Sequence, residues 1–142
     1  MPKAPFKFSA QTRVGFSDTD AQGVVYYGRY MPYFDLARVE YHRHLDMLRN
    51  EPGDRQFVMR AMAVEYHAPA RFDDAIEVDV RIRRIGSSSV TYEFAAYLPG
   101  DELAVTATQT VVLVDLAERK PCRVPDWWRE RIRAFEGDDV DA

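Results

Sequence analysis

A chain of 142 residues, 46% hydrophobic and 30% charged, has the size and composition of one soluble globular domain and not of a disordered or fibrous polymer. Its net charge of −4 argues against a chain-wide attraction for nucleic acid, and the lack of any run of about 18 apolar residues excludes a membrane-spanning helix. The single Cys122 cannot close an intramolecular disulfide, and the first residues carry no apolar signal core, so a cytoplasmic location is expected.

Even positions Phe6, Phe8, Thr12, Val14 and Phe16 are apolar or β-branched while Lys7, Gln11 and Arg13 are polar, which predicts a half-buried strand. The acid-rich turn Asp18-Thr19-Asp20 follows, close before a helical pattern. Carboxylates and the unpaired N–H groups of a helix start therefore meet at one place. That suits a carboxylate attacking a carbonyl, or activating water against it, and it suits an ordinary turn and N-cap as well.

Tyr30, Phe34, Ala37, Tyr41, Leu45 and Leu48 recur at steps of three or four, which predicts one long amphipathic helix. Asn50 to Asp54, with Pro52-Gly53, marks a turn before an extended segment from Phe57 to Tyr66. Ile76, Val78, Val80 and Ile82 then alternate with charged residues, and Val90 to Leu98 alternates likewise after the Gly86-Ser87-Ser88 turn. Pro99-Gly100-Asp101 turns the chain into a long strand, Leu103 to Leu116.

At Val111 to Val114 that strand is apolar on both sides, so it needs two covers. A second subunit and a C-terminal helix, Asp126 to Phe135, are the two candidates. The acidic end Glu136 to Asp141 reads as a solvated, flexible tail. One strand, one helix and four strands joined by short turns give an α+β chain with mostly antiparallel pairing, in a single domain over residues 1–142. No glycine-rich phosphate loop, dinucleotide fingerprint or Cys/His metal spacing is present, and no cofactor or metal is expected.

The run Asp18-Thr19-Asp20-Ala21-Gln22-Gly23-Val24-Val25-Tyr26, continued by Arg29-Tyr30, Phe34, Ala37-Arg38 and Glu40, resembles the signature of the hotdog-fold acyl-CoA thioesterases, in the 4-hydroxybenzoyl-CoA thioesterase and YbgC-like branch. Val64 to Asp74 and Ile85 to Val90 resemble later strands and turns of that family, so the likeness spans roughly residues 8 to 130. It implies a curled antiparallel sheet of about five strands around a central helix. It also implies a homodimer or homotetramer with catalytic grooves between subunits.

By the same resemblance Asp20 is the carboxylate that acts on the thioester, as nucleophile or as general base, and the Tyr27 backbone N–H is the donor to its oxygen. Many YbgC-like members carry a histidine where this chain has Tyr27. Tyrosine, with an ordinary pKa of about 10, is a poor general base, so the reading rests on Asp20 and backbone.

Gly23 and Gly28 either admit close approach of substrate or serve the loop, and Val24, Tyr26 and Tyr30 either line an acyl pocket or pack the core. Glu65 either faces the groove or, as the alternation favours, solvent. Arg84 with Ser87, Ser88 and Ser89 occupies the turn where the family holds coenzyme A phosphates, here with less charge. His42 and His44 fall on the helix and His67 near the end of a strand; surface or structural roles are expected for all three, with His67 the candidate exception. The expected activity is hydrolysis of an acyl-CoA with a small-to-medium or aromatic acyl group. A carrier-protein thioesterase and a non-catalytic acyl-CoA-binding module are the alternatives.

Overall fold

The computed structural model describes residues 1–48 and 54–142. Apart from Asp54, the turn expected over Asn50 to Asp54 lies outside the described residues. The elements in chain order are β1 (Phe8–Arg13), α1 (Tyr30–His44), β2 (Arg55–Tyr66), β3 (Ala75–Ile85), β4 (Ser89–Leu98), β5 (Glu102–Asp115), β6 (Lys120–Pro121) and α2 (Asp126–Glu136). The named strands pair antiparallel, in the order β1-β3-β4-β5-β2, with the two-residue β6 beside the end of β5. The sheet curls around α1, which is the hotdog arrangement that the resemblance implies.

Alternation decides which side chains meet the helix. Ile76, Val78, Val80 and Ile82 of β3, Val90, Tyr92, Phe94 and Ala96 of β4, and Val105 to Leu113 at odd positions of β5 form the buried concave face. Against it α1 sets Tyr30, Phe34, Ala37 and Tyr41 of the expected stripe, together with Tyr33.

The helix stops at His44, short of the expected Leu48, because a C-terminal cap ends it. Asp46 takes φ 55°, Met47 N–H bonds to the His42 carbonyl at 2.8 Å, and Asp46 N–H bonds to the Arg43 carbonyl at 3.1 Å. This is a Schellman motif closed by burying Met47. At the other end, β1 stops before Gly15, and Phe16 stands 80% exposed instead of continuing the strand.

The two covers proposed for Val111 to Val114 separate by face. Val111 and Leu113 point inward, and Leu113 pairs with Phe57, whose ring packs 5.3 Å from that of Trp128 on α2. Val112 and Val114 alternate to the convex face and stay half-buried there.

The end of the chain is docked through Glu136 and its backbone, while Asp138, Asp139 and Asp141 stay exposed. Glu136 is fully buried, its Oε2 accepting from Tyr41 Oη at 2.5 Å and from the Ile82 N–H at 3.2 Å. Asp141 bridges to β3, its carbonyl accepting from Ile85 N–H at 2.8 Å and its N–H donating to the Arg83 carbonyl at 2.9 Å.

Candidate active site

The acidic turn is built by backbone bonds. Asp20 N–H donates to the Val24 carbonyl, and Gly23 N–H to the Asp20 carbonyl, both at 3.0 Å. The loop Ala21-Gln22-Gly23 is thus a type of three-residue hairpin connection that needs its last residue at positive φ, and Gly23 sits at φ 79°. A Cβ there would meet nothing within 4 Å, so Gly23 is required for conformation and not for space. Val24 then bridges to Arg71, and Val25 N–H bonds to the Ala70 carbonyl at 2.8 Å, tying the loop to the chain leading into β3.

The two aspartates of the turn differ sharply in their surroundings. Asp18 Oδ2 accepts from Tyr33 Oη at 2.7 Å and Gly15 N–H at 3.0 Å, and Arg29 Nη2 lies 3.3 Å from Oδ1. Burial alone would raise its pKa, yet these donors and the guanidinium hold it below the usual carboxylate range. Among the described residues the Asp20 carboxylate accepts only the Gln22 N–H, at 2.9 Å, and Asp20 lines a cavity of ≈ 450 Å³. The spare acceptor capacity of the turn is therefore on Asp20.

That cavity is also lined by Val24, Tyr27, Tyr30, Tyr66, His67 and Pro69. A 3₁₀ turn, Tyr27–Arg29, leads into α1, and among the described residues the Tyr27 N–H, first in that turn, has no backbone acceptor. Tyr66 Oη donates to the Tyr27 carbonyl at 3.0 Å and pins this turn to the end of β2. The Tyr26 ring lies 4.2 Å from that of Tyr27, tilted by 33°, and against Gly28, where a Cβ would come within 3.1 Å of it. Burial raises the Tyr30 and Tyr66 phenols above their ordinary range, so both keep their protons at neutral pH.

Asp20, Val24, Tyr27 and Tyr30 thus converge, with Gly23 and Tyr26 beside them. Glu65 does not join them. It pairs with Thr106 on the convex face and lines a separate cleft with Phe6, Glu93 and Tyr97. The reason is a β-bulge between Met59 and Ala61, which reverses the parity of β2 so that Tyr66, not Glu65, faces the helix.

Arg84, Ser87, Ser88 and Ser89 lie at the opposite end of the sheet, where Ser89 pairs with Val112 whereas Tyr66 pairs with Val105. Arg84 there is 3.8 Å from Asp141, and Arg129 of α2 donates to the Gly86 and Ser87 carbonyls. Tyr66 was not singled out from sequence, since only the bulge brings it inward, whereas His67, the histidine named as a candidate for a site role, lines the cavity. His67 Nε2 lies 3.1 Å from Thr106 Oγ1 at the cavity wall. Among the described residues no three His, Cys, Asp or Glu side chains converge as metal ligands.

A family model described as the thioesterase-like superfamily matches residues 14–132. The acyl-CoA thioester hydrolase YbgC of Escherichia coli O6:H1 is 35% identical over 120 residues, 83% of this chain and 90% of that one. The acyl-CoA thioesterase YbgC of Haemophilus influenzae is 33% identical over 121 residues, 83% of this chain and 88% of that one. Among solved structures, a Thermus thermophilus thioesterase complexed with coenzyme A and zinc superposes with a TM-score of 0.82 at 31% identity, covering 95% of this chain and 98% of that chain.

Proposed function

The chain belongs to the thioesterase-like superfamily, and from that footing we propose that it hydrolyses acyl-CoA to a carboxylic acid and free coenzyme A through Asp20. The observation that carries this reading is the contrast between the two acids of the turn. Asp18 is spent on Tyr33, Gly15 and Arg29, whereas Asp20 opens on the cavity.

With a thioester carbonyl carbon beside Asp20, its oxygen would lie toward the Tyr27 N–H, where negative charge develops as the carbon becomes tetrahedral. Two routes fit. The carboxylate adds to the carbon, the C–S bond breaks to release the thiolate, and water cleaves the resulting anhydride. Alternatively the carboxylate takes a proton from water as that water adds, and the proton passes on to the departing sulfur.

We further propose a twofold homodimer, with a dimer of dimers as the larger assembly. Among the described residues no strand pairs with the outer edge of β2, and Val58, Met59, Met62 and Tyr66 of that strand are each at least 42% exposed. An open apolar edge of this length is an aggregation liability unless another strand covers it. Antiparallel pairing of two such edges reverses strand direction across the dyad. The Ser87 to Ser89 turn of one protomer would then share an end of the joined sheet with Asp20 of the other, within reach of one coenzyme A.

Phe16 and Phe72, 80% and 56% exposed, pack edge to face beside the acidic turn, with Arg13 and Arg71 exposed nearby. This apolar and basic rim favours a second reading, an acyl group delivered on an acidic carrier protein. The test is turnover of one acyl group presented on coenzyme A and on carrier protein in parallel. Faster hydrolysis from coenzyme A is expected. Hydrolysis from the carrier alone would replace the first reading by the second, and hydrolysis of neither would leave a binding module.

A further inference from the structure

Among the side chains that line the ≈ 450 Å³ cavity with Asp20, only His67 ends in an imidazole. Imidazole is the side chain whose ordinary pKa lies nearest neutrality, so it both gives and takes a proton there. The phenols of Tyr30 and Tyr66 hold their protons. The other two histidines are engaged elsewhere. Burial, with the Arg38 charge adding to it, holds His42 neutral at a pKa of about 4, and His44 packs against the rings of Phe8 and Phe135.

His67 is fixed through both backbone and ring. Its N–H donates to the Ala104 carbonyl at 2.7 Å, the Ala68 N–H donates to the same oxygen at 3.1 Å, and Nε2 lies 3.1 Å from Thr106 Oγ1 on β5. With Nε2–H donating to that hydroxyl, as it can in the neutral and in the protonated ring, Nδ1 is the nitrogen left to exchange a proton. Among the described residues no hydrogen bond engages Nδ1. Tyr66, the residue before, donates to the Tyr27 carbonyl, so the imidazole and the Tyr27 N–H are carried by segments tied directly to each other. Asp20, Tyr27, Tyr30 and Tyr66 are the titratable groups that share the cavity with the ring.

Resting on the thioesterase reading above, we infer that His67 is the proton carrier of the reaction, giving a proton to the departing sulfur and recovering it before the next turnover. Both routes through Asp20 need this transfer. As the C–S bond breaks, imidazolium protonates the coenzyme A sulfur and becomes neutral. Where Asp20 has formed the anhydride, the imidazole takes its proton back from the water that cleaves it, and the Asp20 carboxylate is released. Where Asp20 is the base, the imidazole takes back the proton that Asp20 removed from water. By either route one thioester and one water become one carboxylic acid and one thiol.

The experiment measures kcat/KM of wild type, His67→Ala and His67→Gln on one acyl group carried by coenzyme A and by thiophenol, with the melting temperature of each variant. Glutamine can keep an N–H bond to Thr106 but carries no proton between groups. Both variants should lose about 100-fold on the coenzyme A ester, the lower end of what a positioned acid or base supplies. The loss on the thiophenyl ester should be at least tenfold smaller, because its less basic thiolate departs without a proton. Added imidazole should restore coenzyme A ester turnover to His67→Ala and not to Asp20→Asn. His67→Gln alone decides where His67→Ala does not fold.

Glutamine as active as histidine, an equal loss on the two esters, or no rescue by imidazole would overturn the inference while Asp20-dependent turnover kept the thioesterase reading standing. Wild type inert toward every acyl-CoA, or active without Asp20, would overturn both.

Discussion

Two aspartates, two residues apart, carry opposite duties, and substitution should separate them. Asp18→Ala strips the Tyr33 hydroxyl and Gly15 N–H of their acceptor, so a loss of about 1–3 kcal/mol in unfolding free energy is expected by denaturant titration. The Asp18 pKa is lowered in the fold. Its contribution is therefore present above the unfolded carboxylate pKa and is lost as pH falls through the lower folded value. In wild type this gives an acid-side loss of stability that Asp18→Ala removes. The sequence marked the Asp-Thr-Asp turn and the family resemblance selected the second acid. The physical reason, that Tyr33 and Gly15 reach only the first, depends on how the turn folds back on α1 and is not readable from spacing.

Among the elements, strand β3 carries a buried acid on the convex face. Asp79 is fully buried, Lys3 N–H donates to its Oδ2 at 2.9 Å, and no donor among the described residues reaches its Oδ1 within hydrogen-bond geometry. Burial pushes its pKa up to about 7, and the neighbouring Glu77 adds to the rise. An acid raised in the fold favours the native state fully below its unfolded pKa, and that advantage fades as pH climbs toward the folded value. Asp79 should thus lower the melting temperature progressively between about pH 4 and pH 7. Asp79→Asn keeps the acceptor for Lys3 and should flatten that slope in calorimetric scans.

On α2, burial likewise raises the pKa of Glu136. Glu136→Gln retains acceptors for Tyr41 and Ile82 and should hold or raise the melting temperature at pH 8, whereas Glu136→Ala should lose about 1–3 kcal/mol by orphaning both donors.

The elements themselves were largely legible, because the alternation of β3 to β5 and the stripe of α1 are strong periodic signals. The parts that were not legible are breaks in period. Asp46 caps the helix at a position where glycine is usual, and the bulge at Met59 to Ala61 flips which residues of β2 face the site. The buried Glu136 reads as tail because nothing local shows that Tyr41 and the Ile82 N–H wait for it.

For the whole molecule, the sheet of the described residues ends on β1 and on the longer β2, and a helix-side cavity lies near each end of the β2 edge. A single chain offers Asp20 a wall but no enclosed chamber. The double substitution V58K/M62K puts like charges along the edge, so light scattering should show a monomer, and acyl-CoA hydrolysis should fall with dimer content. Expectations of a groove between subunits came from the family resemblance. The apolar, exposed character of β2 is the part that this chain supplies.

The decisive assay follows thiol release from an acyl-CoA and melting temperature together for wild type and Asp20→Asn, with a substrate-free blank to correct for Cys122. Asn can keep the single Gln22 N–H bond, so the melting temperature should stay within about 1 °C of wild type, while kcat falls at least about 100-fold, the range expected on removing a general base. A variant that folds and still turns over at the wild-type rate would contradict the role given to Asp20.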